Sequence, residues 1–284
     1  MDNYSLPRRI WRIFYPVLIF IGIQIFVGVG IEIVVALATI VNDTLRSTSG
    51  ADISVFVNTM TRFVYDNGTF LVLVCNLFSF GVFWPIWLTM SKRLERFENS
   101  NPVSLGIAIA GFFAGFNIVQ LIVFGLTDIM KFFPSYEEVS DMLSSGTVLI
   151  QVIAIGFSAP IVEEIVFRGI LLNRMKWLPV WAAVLIQALL FGFVHFNLFQ
   201  SLYAFLAGIM LGLVYVKYKS LVFVIIGHVS YNLSSVLLAE FSTDAAAAAV
   251  ILISPVIMIV CAVFLLKHVP SRLSGLAQEP QNMI

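Results

Sequence analysis

The chain reads as an all-α, polytopic transmembrane helical bundle of about eight spans, and two observations predict it. Apolar residues make up 60% of the 284 residues and charged residues only 11%, which leaves too little polar surface for a water-soluble globule of this length. Hydrophobic runs of about 20 residues, the length that crosses a ~30 Å hydrocarbon layer as helix, recur along the whole chain. Lipid offers no partner to a free backbone amide, so runs of this kind are helices.

Set against their breakers, the runs give candidate spans near 13–41, 69–90, 103–130, 147–173, 178–199, 201–216, 221–239 and 245–266. The first extends well beyond the roughly 7–15 residues of a signal core, so it is a retained span although Ala36-Leu37-Ala38 resembles a cleavage site. Residues 42–67 form a long loop in which Ile53 to Tyr65 lies along the membrane surface. The second and third spans carry Asn76 and Asp128 as packing residues, as the first carries Glu32. The acidic stretch 131–146 forms a short external cap. In the fourth span Pro160 removes the hydrogen bond to the Gly156 carbonyl and kinks the helix. The fifth and seventh spans each hold one histidine, and the eighth opens on the run Ala245–Ala249, whose small side chains permit close packing.

Eight spans place both termini on one side, and the basic residues choose that side. Arg8, Arg9 and Arg12 precede span one; Lys92, Arg93 and Arg96 follow span two; Arg174 and Lys176 follow span four; Lys217 and Lys219 follow span six; Lys267 and Arg272 follow span eight. The opposite loops are mostly acidic, so both termini are predicted cytoplasmic. Sixteen basic residues balance sixteen acidic ones and are scattered over short loops, which excludes nucleic acid as a partner. Cys75 and Cys261 lie in different apolar runs and imply neither a disulfide framework nor a thiolate metal site.

Chemistry is concentrated in the fourth span, where Glu163, Glu164 and Arg168 interrupt an otherwise apolar run. Each such group costs about 2.5–3.5 kcal/mol on insertion scales, so it marks a site. Glu164 and Arg168 stand at i, i+4 and are placed for an ion pair, whereas Glu163 is rotated by about 100° and is the freer carboxylate. His195 follows Phe191 by one turn, and His228 precedes Asn232 by one turn. Read alone, each histidine is an interhelical hydrogen-bonding residue and Glu164–Arg168 a structural pair. Together on three spans, Glu, Glu, Arg, His, His and Asn point to a catalytic centre. Measured along ideal helices from the turn near Lys176, Glu163 lies roughly 15–20 Å deep and His195 roughly 25–30 Å deep, a gap that tilt at Pro179 or a sunken turn must close.

At these residues the chain resembles the CPBP family of intramembrane proteases, named for CAAX proteases and bacteriocin-processing enzymes and also called Abi, which includes the Ras-converting CAAX prenyl endopeptidase. The family pattern E-E-x-x-x-R, F-x-x-x-H, H-x-x-x-N is met by Glu163-Glu164-Ile165-Val166-Phe167-Arg168, Phe191-Gly192-Phe193-Val194-His195 and His228-Val229-Ser230-Tyr231-Asn232. The resemblance covers about 158–235 and divides the chain into N-terminal spans with external loops at 1–140 and a protease-like core with the last span at 141–284. It implies an intramembrane endopeptidase of a multi-pass protein, expected in a bacterial plasma membrane, acting on a membrane-associated peptide or protein. It further implies that Glu163 and His195 activate a water, that His228 and Asn232 form the oxyanion site, and that Glu164 and Arg168, with Phe191, support them.

The zincin spacing H-E-x-x-H is absent, and metal-independent general-base catalysis is favoured; a zinc ion, if used, would sit on Glu163, His195 and His228. Other readings compete with this one. A rhomboid-like serine protease would use Ser158 in Gly156-Phe157-Ser158-Ala159, which lacks the final glycine of that signature. A transporter would use the cluster as a proton or ion site, but no second Glu-Glu-Arg segment marks a duplicated half. A non-catalytic scaffold or immunity protein of the same fold is a further reading. Neither substrate nor oligomeric state is written in these patterns.

Overall fold

A computed structural model describes residues 4–46, 53–91 and 134–241, and every element among them is helical, with no strand. The chain forms α1 (Leu6–Arg46), α2 (Ile53–Ser91), α3 (Pro134–Leu143), α4 (Val148–Leu172), α5 (Val180–Phe193), α6 (Leu198–Tyr218) and α7 (Leu221–Phe241). Five helices are long and apolar enough to cross a bilayer, namely Leu6–Ala38 of α1, Phe56–Met90 of α2, and the whole of α4, α6 and α7. The expected spans at 103–130 and 245–266 lie outside the described residues. The chain is an all-α polytopic bundle, but the count of eight spans does not follow.

Two expectations are corrected. The span placed at 178–199 is a helix of 14 residues, about 21 Å at 1.5 Å per residue and therefore short of the hydrocarbon thickness. Val194 to Asn197 end it in a turn, with Phe196 at φ 51° in the left-handed region. The surface segment placed at Ile53 to Tyr65 is the continuous first third of α2, a helix of 39 residues. No proline interrupts it before Pro85, and the first glycine on the way, Gly68, abuts the Met142 side chain of α3, where a larger residue would not fit.

Packing is antiparallel between α1 and α2, as the pairs Gln24–Ser79 and Phe20–Phe83 show. Helix α2 then runs parallel to α4, touching it at Asn76–Ser158 and at Trp87–Gly169. Helices α5 and α6 form an antiparallel hairpin. They approach closely because Gly208 and Gly212 stand one turn apart on α6: a Cβ on Gly208 would lie 2.9 Å from Ala188 Cα, and one on Gly212 would lie 3.0 Å from Gln187 Nε2. Lys219, left-handed at φ 51°, closes the α6–α7 turn by donating its backbone N–H to the Tyr215 carbonyl at 2.7 Å. At the other end of α1, Arg174 donates to the Arg12 carbonyl at 3.0 Å and lies over the Tyr15 ring, tying the α4–α5 connection to that helix.

Helix α4 is the axis of the bundle, packed on by α1, α2, α5, α6 and α7. All of Ile165–Leu172 is buried. Pro160 does not break this span. The helix instead takes wider π turns at Val152–Ser158 and at Ile165–Leu172, flanking an α segment at Ala159–Glu164. The physical reason is local. Pro160 has no N–H for the helix ladder, and the Ala159 N–H reaches back five residues to Ala154 rather than four.

Candidate active site

The first π turn leaves one carbonyl without its helical donors. Ile155 O would take the Ala159 N–H in an α turn or the N–H of residue 160 in a π turn, but the former bonds to Ala154 and the latter is a proline. Asn232 of α7 supplies the missing donor through Nδ2 at 3.0 Å. Ser158, one turn on, donates to Ala154 O at 2.7 Å and accepts from Asn76 Nδ2 at 3.1 Å. Its hydroxyl hydrogen is thus directed at its own helix, and among the described residues no histidine is hydrogen-bonded to Ser158.

Between the π turns, Glu163 and Glu164 point to different surroundings, as their rotation about the helix requires. Glu164 has a fully buried side chain and accepts from Arg168 Nη1 at 2.8 Å, the i, i+4 pair expected from the sequence. The same oxygen, Oε1, accepts from His228 Nδ1 of α7 at 2.7 Å. A carboxylate bonded to a guanidinium acts as an acceptor, so Nδ1 carries the hydrogen; this tautomer is assigned from the hydrogen-bond network. The other ring nitrogen, Nε2, then lies 3.8 Å from Oε2 of Glu163, whose side chain is 17% exposed. His228 therefore spans the two carboxylates, bonded to the buried one and facing the accessible one.

Phe191 joins this group to His195. Its ring lies 5.1 Å from Phe167, 6.0 Å from His228 and 5.2 Å from His195, each edge to face, and the Arg168 guanidinium sits 4.6 Å from its centroid. These contacts combine cation–π attraction with favourable ring geometry. His195 occupies the turn after α5, half-buried, with Nδ1 bonded to the Phe191 carbonyl at 2.8 Å. The Phe191 ring touches both histidines, and among the described residues no hydrogen bond joins the Glu163 and His195 side chains. His228 and Asn232 likewise reach different partners, and in this structure their side-chain donors do not meet at one point.

Among the described residues no three His, Cys, Asp or Glu side chains converge as a set that could hold a metal ion. The set Glu163, His195 and His228 is not assembled for zinc as these residues stand.

The spacing rules passed over two buried residues. Gln187, four before Phe191 on the same face of α5, is fully buried and donates to the Gly208 carbonyl of α6 at 2.6 Å. Asn173 lies within hydrogen-bonding distance of the Tyr215 hydroxyl at 2.6 Å and the Gly169 carbonyl at 2.9 Å, tying the end of α4 to α6. The signal for Gln187 was available, since a lone amide at i−4 and i−8 from Phe191 and His195 extends their stripe by one turn.

Residues 145–234 match the family model described as Type II CAAX prenyl endopeptidase Rce1-like. The match contains all three motifs and bears out the CPBP resemblance over that stretch. No curated protein and no solved structure matches the chain.

Proposed function

We propose that the protein is an intramembrane endopeptidase that hydrolyses a peptide bond of a membrane-associated peptide or protein by water activated at Glu163. The observation that carries this reading is the pair Glu163 Oε2 and His228 Nε2, 3.8 Å apart at the accessible edge of a buried cluster. Both are hydrogen-bond acceptors when Nδ1 of His228 is the donor to Glu164, and a water that donates to both suits such a separation.

Each residue then has a chemical task. Glu163 takes the proton as the water oxygen attacks the scissile carbonyl, and His195 orients that water through Nε2. The proton passes on to His228 Nε2, and the resulting imidazolium is stabilised by the Glu164 carboxylate at its other nitrogen, as a buried carboxylate does for a catalytic histidine elsewhere. Substrate binding must bring Nε2–H of His228 and the second N–H of Asn232 together at the oxyanion, where one such donor is worth about 2.7–4 kcal/mol. Collapse of the tetrahedral intermediate breaks the C–N bond, and His228 returns its proton to the departing amine. Glu164 and Arg168 hold this histidine in place. Both termini lie in the cytoplasm, and the substrate enters from the membrane.

The test is cleavage of quenched peptides, prenylated and unprenylated, by the purified protein beside its Glu163→Gln variant. Cleavage that vanishes in the variant supports the reading. Equal cleavage by both would remove Glu163 from the chemistry, and a wild type inert toward both sets would favour a scaffold, an immunity protein or a transporter of the same fold.

A further inference from the structure

Gln187 is a costly residue to keep. It is fully buried on α5, its Nε2 donates to Val184 O at 3.2 Å and to Gly208 O at 2.6 Å, and its Oε1 is buried with no hydrogen-bond partner. Turning the amide over would set its oxygen against two carbonyls, so the orphaned oxygen follows from the site itself. An apolar residue of the same length would remove that cost, which makes the donor group the feature to explain.

The Gly208 carbonyl also accepts from Arg168 Nη2 at 3.3 Å. A helix carbonyl is open to neighbours in this way because Gly208 and Gly212 have no side chains to hold α5 away. From Arg168 the bonds continue to Glu164 Oε1 at 2.8 Å and from there to His228 Nδ1 at 2.7 Å. Gln187 and the guanidinium thus share one acceptor, at the far end of a chain of hydrogen bonds that terminates on the imidazole.

Resting on the proteolytic reading above, we propose that Gln187 is a positioning residue: by anchoring the Gly208 carbonyl it fixes Arg168, and through Arg168 and Glu164 it aims Nε2 of His228 at the reacting water. The amide touches neither substrate nor reacting atoms. Its effect is on the orientation of His228, and therefore on turnover more than on substrate binding.

The test uses the full-length protein in detergent and the variant Gln187→Met, which keeps the length and volume while deleting the donors and the orphaned oxygen. The chain has three histidines, so histidine-selective 15N labelling gives a spectrum in which His228 is assigned by its loss in His228→Gln. The expected result is a shifted His228 ring resonance, an unchanged His268 resonance, thermal stability at or above wild type, and a turnover number lower by roughly tenfold with little change in KM; misplacement by 1 Å can cost about a hundredfold. Gln187→Asn retains the amide but falls short of Gly208, and is expected to show the same displaced resonance, so a failure of the methionine variant to fold does not close the question. Unchanged His228 resonances with wild-type turnover would overturn the proposal and leave the protease reading standing. If the wild type cleaves no peptide, the protease reading fails, and the His228 spectrum alone decides whether Gln187 reaches that ring: a displaced resonance upholds the relay and an unmoved one overturns it.

Discussion

Glu163 and Glu164 are neighbours in the chain yet have unlike surroundings, and the difference sets what each substitution does. Glu163 is partly exposed and lies 3.8 Å from a histidine nitrogen, so Glu163→Gln should abolish cleavage while leaving the unfolding temperature near wild type. His195→Ala should do the same, because among the described residues its ring is hydrogen-bonded only to the Phe191 carbonyl, one turn back. Both are checked by a peptide assay beside thermal unfolding. Glu164 behaves differently: it is buried and shared by Arg168 and His228. Arg168→Ala strands that carboxylate and should cost about 3–5 kcal/mol, with activity lost as well, whereas replacing both members of the pair is far milder. A double-mutant cycle with Glu164→Gln, read by thermal unfolding, measures the coupling; additive losses would show the two residues act independently.

At the scale of the element, the π turns of α4 connect a proline to the candidate oxyanion site. Pro160 frees the Ile155 carbonyl, and Asn232 satisfies it while keeping a second N–H. Asn232→Ala should therefore lower stability by about 1 kcal/mol through an unpaired, partly buried carbonyl. It should also lower kcat and kcat/KM by similar factors, the mark of an interaction made in the transition state. Adding Pro160→Ala supplies a backbone N–H within reach of Ile155, so the double variant should regain stability and remain slow. Recovery of both together would show that Asn232 serves the helix alone. The α5–α6 hairpin is sensitive to volume: Gly208→Ala places a methyl within 2.9 Å of Ala188 Cα, and over-packing of this kind costs typically 1–3 kcal/mol.

For the molecule as a whole, the burial of α4 among five other helices puts the cluster at the centre of the bundle, away from lipid. Low polarity around Arg168, Glu164 and His228 strengthens each of their hydrogen bonds and penalises any that is broken. Among the described residues no third ligand converges with Glu163 and His228. Peptide cleavage by the purified protein is therefore expected to survive chelators. Activity lost to a chelator and restored by zinc, with metal lost in His228→Gln, would place the ion on Glu163, His195 and His228 and replace the mechanism proposed above.

What the sequence determined by itself is whatever depends on spacing within one helix or on composition. The membrane class follows from long apolar runs, and the Glu164–Arg168 pair and the Phe191–His195 stripe follow from 3.6 residues per turn. Glu163 could be read as the freer carboxylate for the same reason. The tertiary structure alone decided contacts between helices: that His228 bonds to Glu164 across 64 residues, that Asn232 serves Ile155, and that Gln187 shares an acceptor with Arg168. It also decided the heights at which these meet, through a short α5, the wide turns around Pro160 and the close approach at Gly208. Helical periodicity states which way a side chain faces on its own helix. Which helix lies opposite, and at what level, is set by packing, and no spacing within a single segment records it.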